Sequence, residues 1–137
     1  MAATSVMFTV PGHPVGKGRP RFARGRAYTP ETTRKAEHRV AAIASDAMVE
    51  AGIKPVGCPV RVQIIAWFEP RKSWSKKKRL DALGNEIRPG KPDLDNIAKL
   101  ILDAINGVVF EDDEQVVELL IKKEFSDRAV TRVYVEW

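Results

Sequence analysis

The sequence predicts an α+β fold: a single small domain over residues 1–137, with a mixed β-sheet of about four strands and helices packed against it. Three observations lead to this prediction. The chain of 137 residues has the size of one domain, and its 44% of hydrophobic residues can form a core. Segments with the two-residue period of strands alternate with segments that have the period of helices. Their order is β-α-β-α-β-β, and no internal repeat or linker interrupts it.

The first half of the chain contains two predicted strands and one helix. Ser5–Val10 is rich in β-forming residues, and a Gly- and Pro-rich loop over residues 13–28 follows it. Thr29 is the candidate N-cap of a helix with one apolar stripe, and Gly52 ends that helix. Alternating apolar residues over Val60–Phe68 predict the next strand.

The second half begins with a segment, residues 71–90, whose polar and basic composition predicts a mobile loop. A helix is expected over Asp95–Asn106, followed by a strand over Val116–Phe125. Ser126–Arg128 has the composition of a turn, so the last strand, Val130–Val135, is expected to return antiparallel in a hairpin.

The charged residues are distributed unevenly. Residues 1–92 contain 18 Lys or Arg against 7 Asp or Glu, a balance of +11. Residues 93–137 contain 5 Lys or Arg against 11 Asp or Glu, a balance of −6. A basic region followed by an acidic one indicates that one part binds a polyanion and the other holds a cation.

Several classes of protein are excluded by composition. No apolar run approaches the roughly 18 residues that a transmembrane helix needs, so no membrane partner is expected. The single cysteine, Cys58, excludes an intrachain disulfide and a cysteine-based zinc site. The expected location is therefore the cytoplasm.

The most informative segment, residues 91–117, reads KPDLDNIAKLILDAINGVVFEDDEQVV. On a helical wheel its apolar residues form a core face: Ile97, Leu100, Ile101, Ala104 and Ile105. The other side carries polar residues: Asp95, Lys99, Asp103 and Asn106. Asp93 precedes the helix by two residues of extended chain, which places its carboxylate on the same side as that of Asp95.

Each acidic group also has an ordinary structural explanation. Asp95 can be an N-cap, Lys99 its i,i+4 ion-pair partner, and Glu111–Glu114 a solvated turn. Two groups of acids bracket one short helix, however, and like charges held together favour a shared cation. Mg²⁺ prefers one or two carboxylates with water and phosphate oxygens, which is the metal chemistry that a nuclease uses.

Two basic segments flank this region and are predicted to contact nucleic-acid phosphates. They are Lys17, Arg19 and Arg21 in the first loop, and Lys76, Lys77, Lys78 and Arg79 in the second. Trp74 lies beside the second segment, where it can stack on an unpaired base, wedge a duplex open, or simply pack at the base of the loop. A run of charges can also be no more than a solvated face.

The segment Pro92-Asp93-Leu94-Asp95-Asn96-Ile97-x-Lys99, then Asp103-Ala104 and Asp112-Asp113-x-Gln115-Val116, resembles the RusA-like endodeoxyribonucleases. These are Holliday junction resolvases of phage and prophage origin. The resemblance extends over nearly the whole chain and is most specific at residues 91–117. Residues 71–90 are longer than in the compact members of the family.

The resemblance implies a Mg²⁺-dependent homodimer, with Mn²⁺ as an alternative metal, that cuts four-way junctions symmetrically and uses no small-molecule cofactor. The family's metal-binding acids correspond to Asp93, Asp95 and Asp113, with Asp112 as an adjacent acid, and its essential lysine corresponds to Lys99. The leading hypothesis is therefore a phage- or prophage-encoded nuclease of branched DNA in a bacterial cytoplasm. The alternatives are a DNA-binding module without catalysis and a nuclease for flaps or replication forks.

Overall fold

The computed structural model describes residues 4–137, so the first three residues of the predicted domain lie outside that range. The elements, in chain order, are β1 (Ser5–Pro11), β2 (Arg21–Ala23), β3 (Arg26–Tyr28), α1 (Glu31–Ala51), β4 (Val60–Phe68), α2 (Lys76–Leu83), α3 (Leu94–Ile105), β5 (Val116–Phe125) and β6 (Val130–Glu136). A 3-10 turn, Asp113–Gln115, precedes β5. The predicted α+β class is confirmed, as is the order of the four long strands and two long helices.

The four long strands form one mixed sheet in the order β1-β6-β4-β5. The last strand, β6, is antiparallel to both of its neighbours, β1 and β4. At the other edge, β5 is parallel to β4. The last strand of the chain, β6, therefore occupies a central position in the sheet, and β5 forms an edge.

The predicted hairpin between the last two strands is wrong. Although β6 does run back in the expected direction, it pairs with β4 and not with β5. The Ser126 amide donates a hydrogen bond to the carbonyl of Phe68 at 2.8 Å, so the chain crosses the end of β4 at this turn. In this position β6 pairs along both of its sides, with β1 and with β4.

One face of the sheet, the inner face, carries the core. Its buried side chains alternate along three strands: Val6, Phe8 and Val10, then Val62, Ile64, Ala66 and Phe68, then Val133 and Val135. The helices α1 and α3 contact each other, α1 packs against β1, and α3 lies against β5. Their apolar faces therefore cover most of the inner face.

Coverage of the inner face is incomplete at β5. Leu119 is in register with the buried Val62 but is 40% exposed. Val117 lies where the register between β4 and β5 is irregular, and it is 66% exposed. The beginning of β5 therefore leaves an open channel beside α3, and the candidate site lies there.

Both segments expected to be loops contain regular structure. The first contains the short hairpin of β2 and β3, in which Arg24 and Gly25 have positive φ angles. The second contains α2, whose N-cap Ser75 accepts a hydrogen bond from the Lys78 amide at 3.2 Å. Neither segment has the apolar periodicity that would predict its secondary structure. In α2, for example, Ala82 is the one buried residue.

The helix starts differ from the predicted ones by one or two residues. The first helix begins at Glu31 with Pro30 in the N-cap position, so the prediction of Thr29 as its N-cap is wrong. The third begins at Leu94, with Asp93 in the N-cap position and Asp95 in the first turn. The alternative explanation of Asp95 as an N-cap is therefore excluded, and its carboxylate is available for another role. Gly52 ends α1 in the left-handed conformation, as predicted.

Within residues 4–137, no helix has both the length and the apolar character that crossing a bilayer requires.

Candidate active site

The polar side of α3 faces an open cleft of about 570 Å³ on the inner face of the sheet. The helix buries its five predicted core residues, which orients the opposite side outward. We call this opening the acidic cleft; its lining includes Asp95, Lys99 and Asp103 of α3, Asp113, and Leu119 and Ile121 of β5. The structure therefore brings acids from two predicted groups into one site.

Asp113 is held at the rim of this cleft by a well-anchored turn. The Asp112 carboxylate accepts a hydrogen bond from the Glu114 amide, and the Gln115 side chain accepts one from the Asp112 amide at 2.7 Å. The Gln115 side-chain amide also donates to the carbonyls of Val56 and Cys58, both at 2.8 Å. The turn is thereby fastened to the loop that leads into β4, which fixes the position of Asp113 just before β5.

The carboxylates at this rim repel one another. A hydrogen bond with Asp112 raises the pKa of Asp113, and partial desolvation and the charges of Asp112 and Asp103 act in the same direction. Such a shift means that the ionised form is disfavoured unless positive charge is supplied. The acidic cleft is therefore a place where a cation would be stabilised.

The donor set fits a hard divalent ion such as Mg²⁺, which needs few protein ligands. No group of three or more potential ligand side chains in residues 4–137 is arranged to hold a metal by itself. Mg²⁺ is commonly held by one or two carboxylates and completed by water and phosphate oxygens. Asp95 and Asp113 supply such carboxylates from the lining of one cleft.

Asp93 is positioned differently from the other predicted acids. Its carboxylate accepts a hydrogen bond from the Lys91 ammonium at 3.1 Å, and it does not cap the helix. It is not part of the lining of the acidic cleft. Asp93 is thus only two residues from Asp95 of the acidic cleft, but its carboxylate is directed toward Lys91.

Lys99 lines the acidic cleft with its side chain exposed. The expected i,i+4 partners are Asp95 and Asp103, yet Lys99 has no ion pair with any residue in the described part of the chain. Asp103 pairs instead with Lys17. The ammonium of Lys99 is therefore available to a ligand in the cleft.

Lys17 is predicted from the sequence to bind DNA, but its ammonium contacts two acids of the protein. It lies 2.5 Å from Asp103 and 3.0 Å from Glu37, and these partners, with Asp103 foremost, raise the pKa of Lys17. Its backbone amide donates to the carbonyl of Asn96 at 2.9 Å. The first loop is thereby fastened to α3 behind the acidic cleft.

Close packing explains the glycines on both sides of Lys17. A Cβ at Gly16 would lie 2.7 Å from the Cβ of Pro92, and one at Gly18 would lie 2.8 Å from the Thr33 hydroxyl. The loop therefore approaches the start of α3 at Gly16, and the start of α1 at Gly18, more closely than a side chain would allow. Sequence reasoning did not identify this role, and the Gly-x-Gly spacing was its only signal.

The other basic residues predicted to bind DNA are exposed. Arg19 precedes the hairpin, Arg21 is in β2, and the run Lys76–Arg79 forms the first half of α2. The ammonium of Lys78 lies 4.2 Å from the centre of the Trp74 ring, which itself packs edge-to-face on Phe125 at 5.7 Å. Trp74 therefore packs at the base of the segment, which is one of the expected arrangements, and it also lines a cleft beside the end of β5.

A second cleft, of about 520 Å³, adjoins the end of β5. We call it the basic cleft; its lining includes four cationic side chains, those of Arg71, Lys78, Arg88 and Lys91. Sequence reasoning identified only Lys78 among them. The signal available was the excess of Lys and Arg through residues 71–91, which composition alone cannot resolve into individual positions.

Comparison with known proteins identifies the class. Residues 11–136 match the family model described as Endodeoxyribonuclease RusA, which covers most of the chain. The chain is also 35% identical over 139 residues to the uncharacterized protein YqaN of Bacillus subtilis (strain 168), a match covering 95% of this chain and 94% of that protein.

The protein is thus of the endodeoxyribonuclease class, whose members bind DNA and cut it internally. Within that class, the chain belongs to the RusA family, as the motif in residues 91–117 predicted.

Proposed function

We propose that this protein is a Mg²⁺-dependent endonuclease that binds branched DNA and resolves Holliday junctions by paired symmetric nicks. The observation that carries the proposal is the acidic cleft, where Asp95 and Asp113, from separate elements, share a lining with the unpaired Lys99. Family membership supports the choice of DNA as the substrate. The family also supports the junction as the branched form on which the enzyme acts.

Asp95 and Asp113 would hold the metal, with Asp93 and Asp112 as adjacent acids that can join them. When bound, Mg²⁺, or Mn²⁺ in its place, offsets phosphate charge and lowers the pKa of a coordinated water. Lys99 places a compact positive charge in the same cleft, where it stabilises the additional negative charge of the pentacovalent phosphate. The carboxylates orient the attacking water toward that phosphate.

The basic segments would hold the arms of the DNA. Arg19, Arg21 and the lysines of α2 are exposed and positively charged, which suits contacts with phosphates that do not depend on base sequence. Lys17 lies in the same loop as the two arginines, and its pairing with Asp103 supports a role in holding that loop near the DNA. Two equivalent sites are needed for symmetric nicks, so the active form would be a two-fold homodimer.

The test is cleavage of a panel of synthetic substrates: four-way junction, flap, fork and linear duplex, each with Mg²⁺, with Mn²⁺ and with EDTA. We expect paired nicks in the junction that require the metal. Binding without metal-dependent cleavage would show a DNA-binding module, and preferential cleavage of flaps or forks would replace the junction as the substrate.

Three substitutions connect the activity to the site: Asp93→Asn, Asp95→Asn and Asp113→Asn. Each removes one negative charge and preserves shape, so cleavage should be abolished while junction binding persists or tightens. Asp46→Asn, at an exposed position of α1, is the matched control and should cleave normally. Full activity of any of the three variants would remove that residue from the site.

A further inference from the structure

The basic cleft combines aromatic rings with a surplus of positive charge. Phe68 and Phe125 are paired in the register of β4 and β5, and both line the cleft. His13 packs edge-to-face on Phe68 with ring centres 5.1 Å apart, and Trp74 packs on Phe125 in the same way. Two ring pairs thus lie side by side at the end of the sheet.

Three of the four cations of the basic cleft have no anionic partner among residues 4–137. Arg71, Lys78 and Arg88 form no ion pair with any residue from 4 to 137, and Lys91 pairs only with Asp93. Glu69 is the one carboxylate in the lining. Four cations against one anion, beside aromatic rings, form a surface suited to nucleotides, since phosphates contact the cations and bases contact the rings.

The basic cleft and the acidic cleft are both lined by residues of β5. Ile121 lines the acidic cleft and Phe125 lines the basic one. Four residues of strand separate them, which is about 13 Å. Along one strand of a duplex, which rises roughly 3.4 Å per nucleotide, that distance spans about four nucleotides, and a more extended single strand spans it with fewer.

A segment that is held by side-chain hydrogen bonds separates the two clefts. Between Ile121 and Phe125, the Lys123 ammonium donates to the carbonyls of Gly90 at 2.8 Å and Pro92 at 3.2 Å. These bonds hold Lys91 on the rim of the basic cleft, where it reaches Asp93. These hydrogen bonds therefore fix the positions of the cations of the basic cleft relative to the acids of the acidic cleft.

We propose that the basic cleft binds a single-stranded stretch of the DNA substrate, within about four nucleotides of the phosphate that is cut. Arg71 and Arg88 contact its phosphates, and a base lies against Trp74 and its neighbouring rings. This inference rests on the proposed nuclease function for the position of the cut. The capture of a single strand is a separate property of the cleft and needs no metal.

The first test measures binding of fluorescent oligo(dT) by anisotropy in EDTA, over a range of salt concentrations. Arg71→Gln/Arg88→Gln should bind about tenfold more weakly, and its slope of log K against log salt should fall by about 1.4, or about 0.7 for each phosphate that is no longer neutralised. The control, Arg34→Gln/Lys54→Gln, removes two exposed charges outside the cleft. Equal affinity and slope in the two double variants would overturn the proposal, as would markedly tighter binding of oligo(U).

The second test uses tryptophan fluorescence. Stacking of thymine on Trp74 should quench emission when oligo(dT) is added to the wild-type protein and to Trp67→Phe, but much less in Trp74→Phe. Trp67 is a suitable control because its indole N–H bonds to Glu124, outside the basic cleft. Undiminished quenching in Trp74→Phe would show that the base does not reach this ring.

The third test locates the strand relative to the cut. Neutral methylphosphonate linkages are placed one at a time along a junction arm, and binding is measured in EDTA. A linkage within about four nucleotides of the nick should weaken wild-type binding but not that of Arg71→Gln/Arg88→Gln. If no such position is sensitive, the inference is overturned, even when the wild-type protein cleaves junctions and is therefore a nuclease. If the protein captures oligo(dT) normally but does not cleave, only the nuclease function and the position of the cut are overturned.

Discussion

At the scale of single residues, the partner of Asp103 determines what Lys99 can do. Sequence spacing makes Asp95 and Asp103 the neighbours of Lys99 on one helix face. The loop lysine, Lys17, reaches Asp103 from another part of the chain, and Lys99 is left without a partner among residues 4–137. A solvent-exposed i,i+4 pair would stabilise the helix by only about 0.3–0.5 kcal/mol, so an unpaired Lys99 costs the fold little.

Replacing Lys99 should therefore affect rate and not stability. Loss of one positive group directed at the transition state typically costs about 10²–10³ in rate. Lys99→Ala removes the charge, and Lys99→Arg replaces a compact ammonium with a planar fork. We expect both variants to fold and bind junctions but to cleave slowly in single-turnover reactions, where product release does not mask the chemical step. A near-normal rate for Lys99→Ala would leave the mechanism to the acids alone.

Replacing Lys17 should affect stability, because it leaves Asp103 and Glu37 half-buried without a cation. Lys17→Met should lower the free energy of unfolding by about 1–3 kcal/mol, between the values for exposed and buried pairs. Lys35→Met is the control, since Lys35 and its partner Glu31 are both well exposed. Urea denaturation measures both, and equal losses of stability would contradict a structural role for Lys17.

The effect of Lys17 should also depend on pH in a definite direction. Its partners raise the Lys17 pKa in the folded protein. The stabilisation is therefore complete below the unfolded-state pKa of about 10.4 and is lost as the pH rises through the higher folded-state value. The stability difference between wild type and Lys17→Met should be constant around pH 8 and shrink as the pH rises past the unfolded-state pKa of about 10.4 and through the raised folded-state pKa. A difference that persists at high pH would mean that packing, and not charge, holds the loop.

At the scale of elements, α2 shows how a charged helix differs from a loop. Its lysines are displayed on an ordered turn that begins at the Ser75 cap, so their positions are fixed relative to the sheet. Lys78 lies over Trp74, while Lys76 and Lys77 are exposed. Cations on such an ordered helix lose less conformational entropy on contacting DNA phosphates than cations on a mobile loop.

Neutralising the three lysines at the start of α2 should weaken DNA binding without unfolding the protein. In Lys76→Gln/Lys77→Gln/Lys78→Gln, the slope of log K against log salt should flatten by up to about 0.9 for each DNA phosphate that the variant no longer neutralises. Glutamine retains the helix propensity of lysine, and exposed charges contribute little to stability, so the melting temperature should barely change. An unchanged affinity and slope would mean that α2 presents only a solvated face.

At the scale of the whole molecule, paired symmetric nicks require two active sites related by two-fold symmetry. Sedimentation equilibrium should therefore give twice the 15.3 kDa mass of the chain. Mixed dimers of wild-type and Asp95→Asn subunits should nick one strand of a junction and leave the opposite strand intact. Paired nicks from the mixed dimer, or full activity from a monomer, would contradict this arrangement.

Much of the site is determined by local sequence. The 3.6-residue period of α3 places its apolar side in the core and its polar side outward, whatever the rest of the chain does. The alternation along β4 likewise identifies a strand with one buried face. The motif from Asp93 to Lys99 identifies the family, which the family match over residues 11–136 confirms.

Other features depend on contacts between distant residues. The order β1-β6-β4-β5 arises from competition between strands for pairing partners, which no single strand encodes. That order sets β5 beside α3 and so brings Asp113 to the same cleft as Asp95. The pairing of Lys17 with Asp103 spans 86 residues of chain, and the basic cleft takes its cations and rings from several segments. Local periodicity reports which side of an element is buried, whereas the partner across a cleft is decided only when the sheet and helices pack.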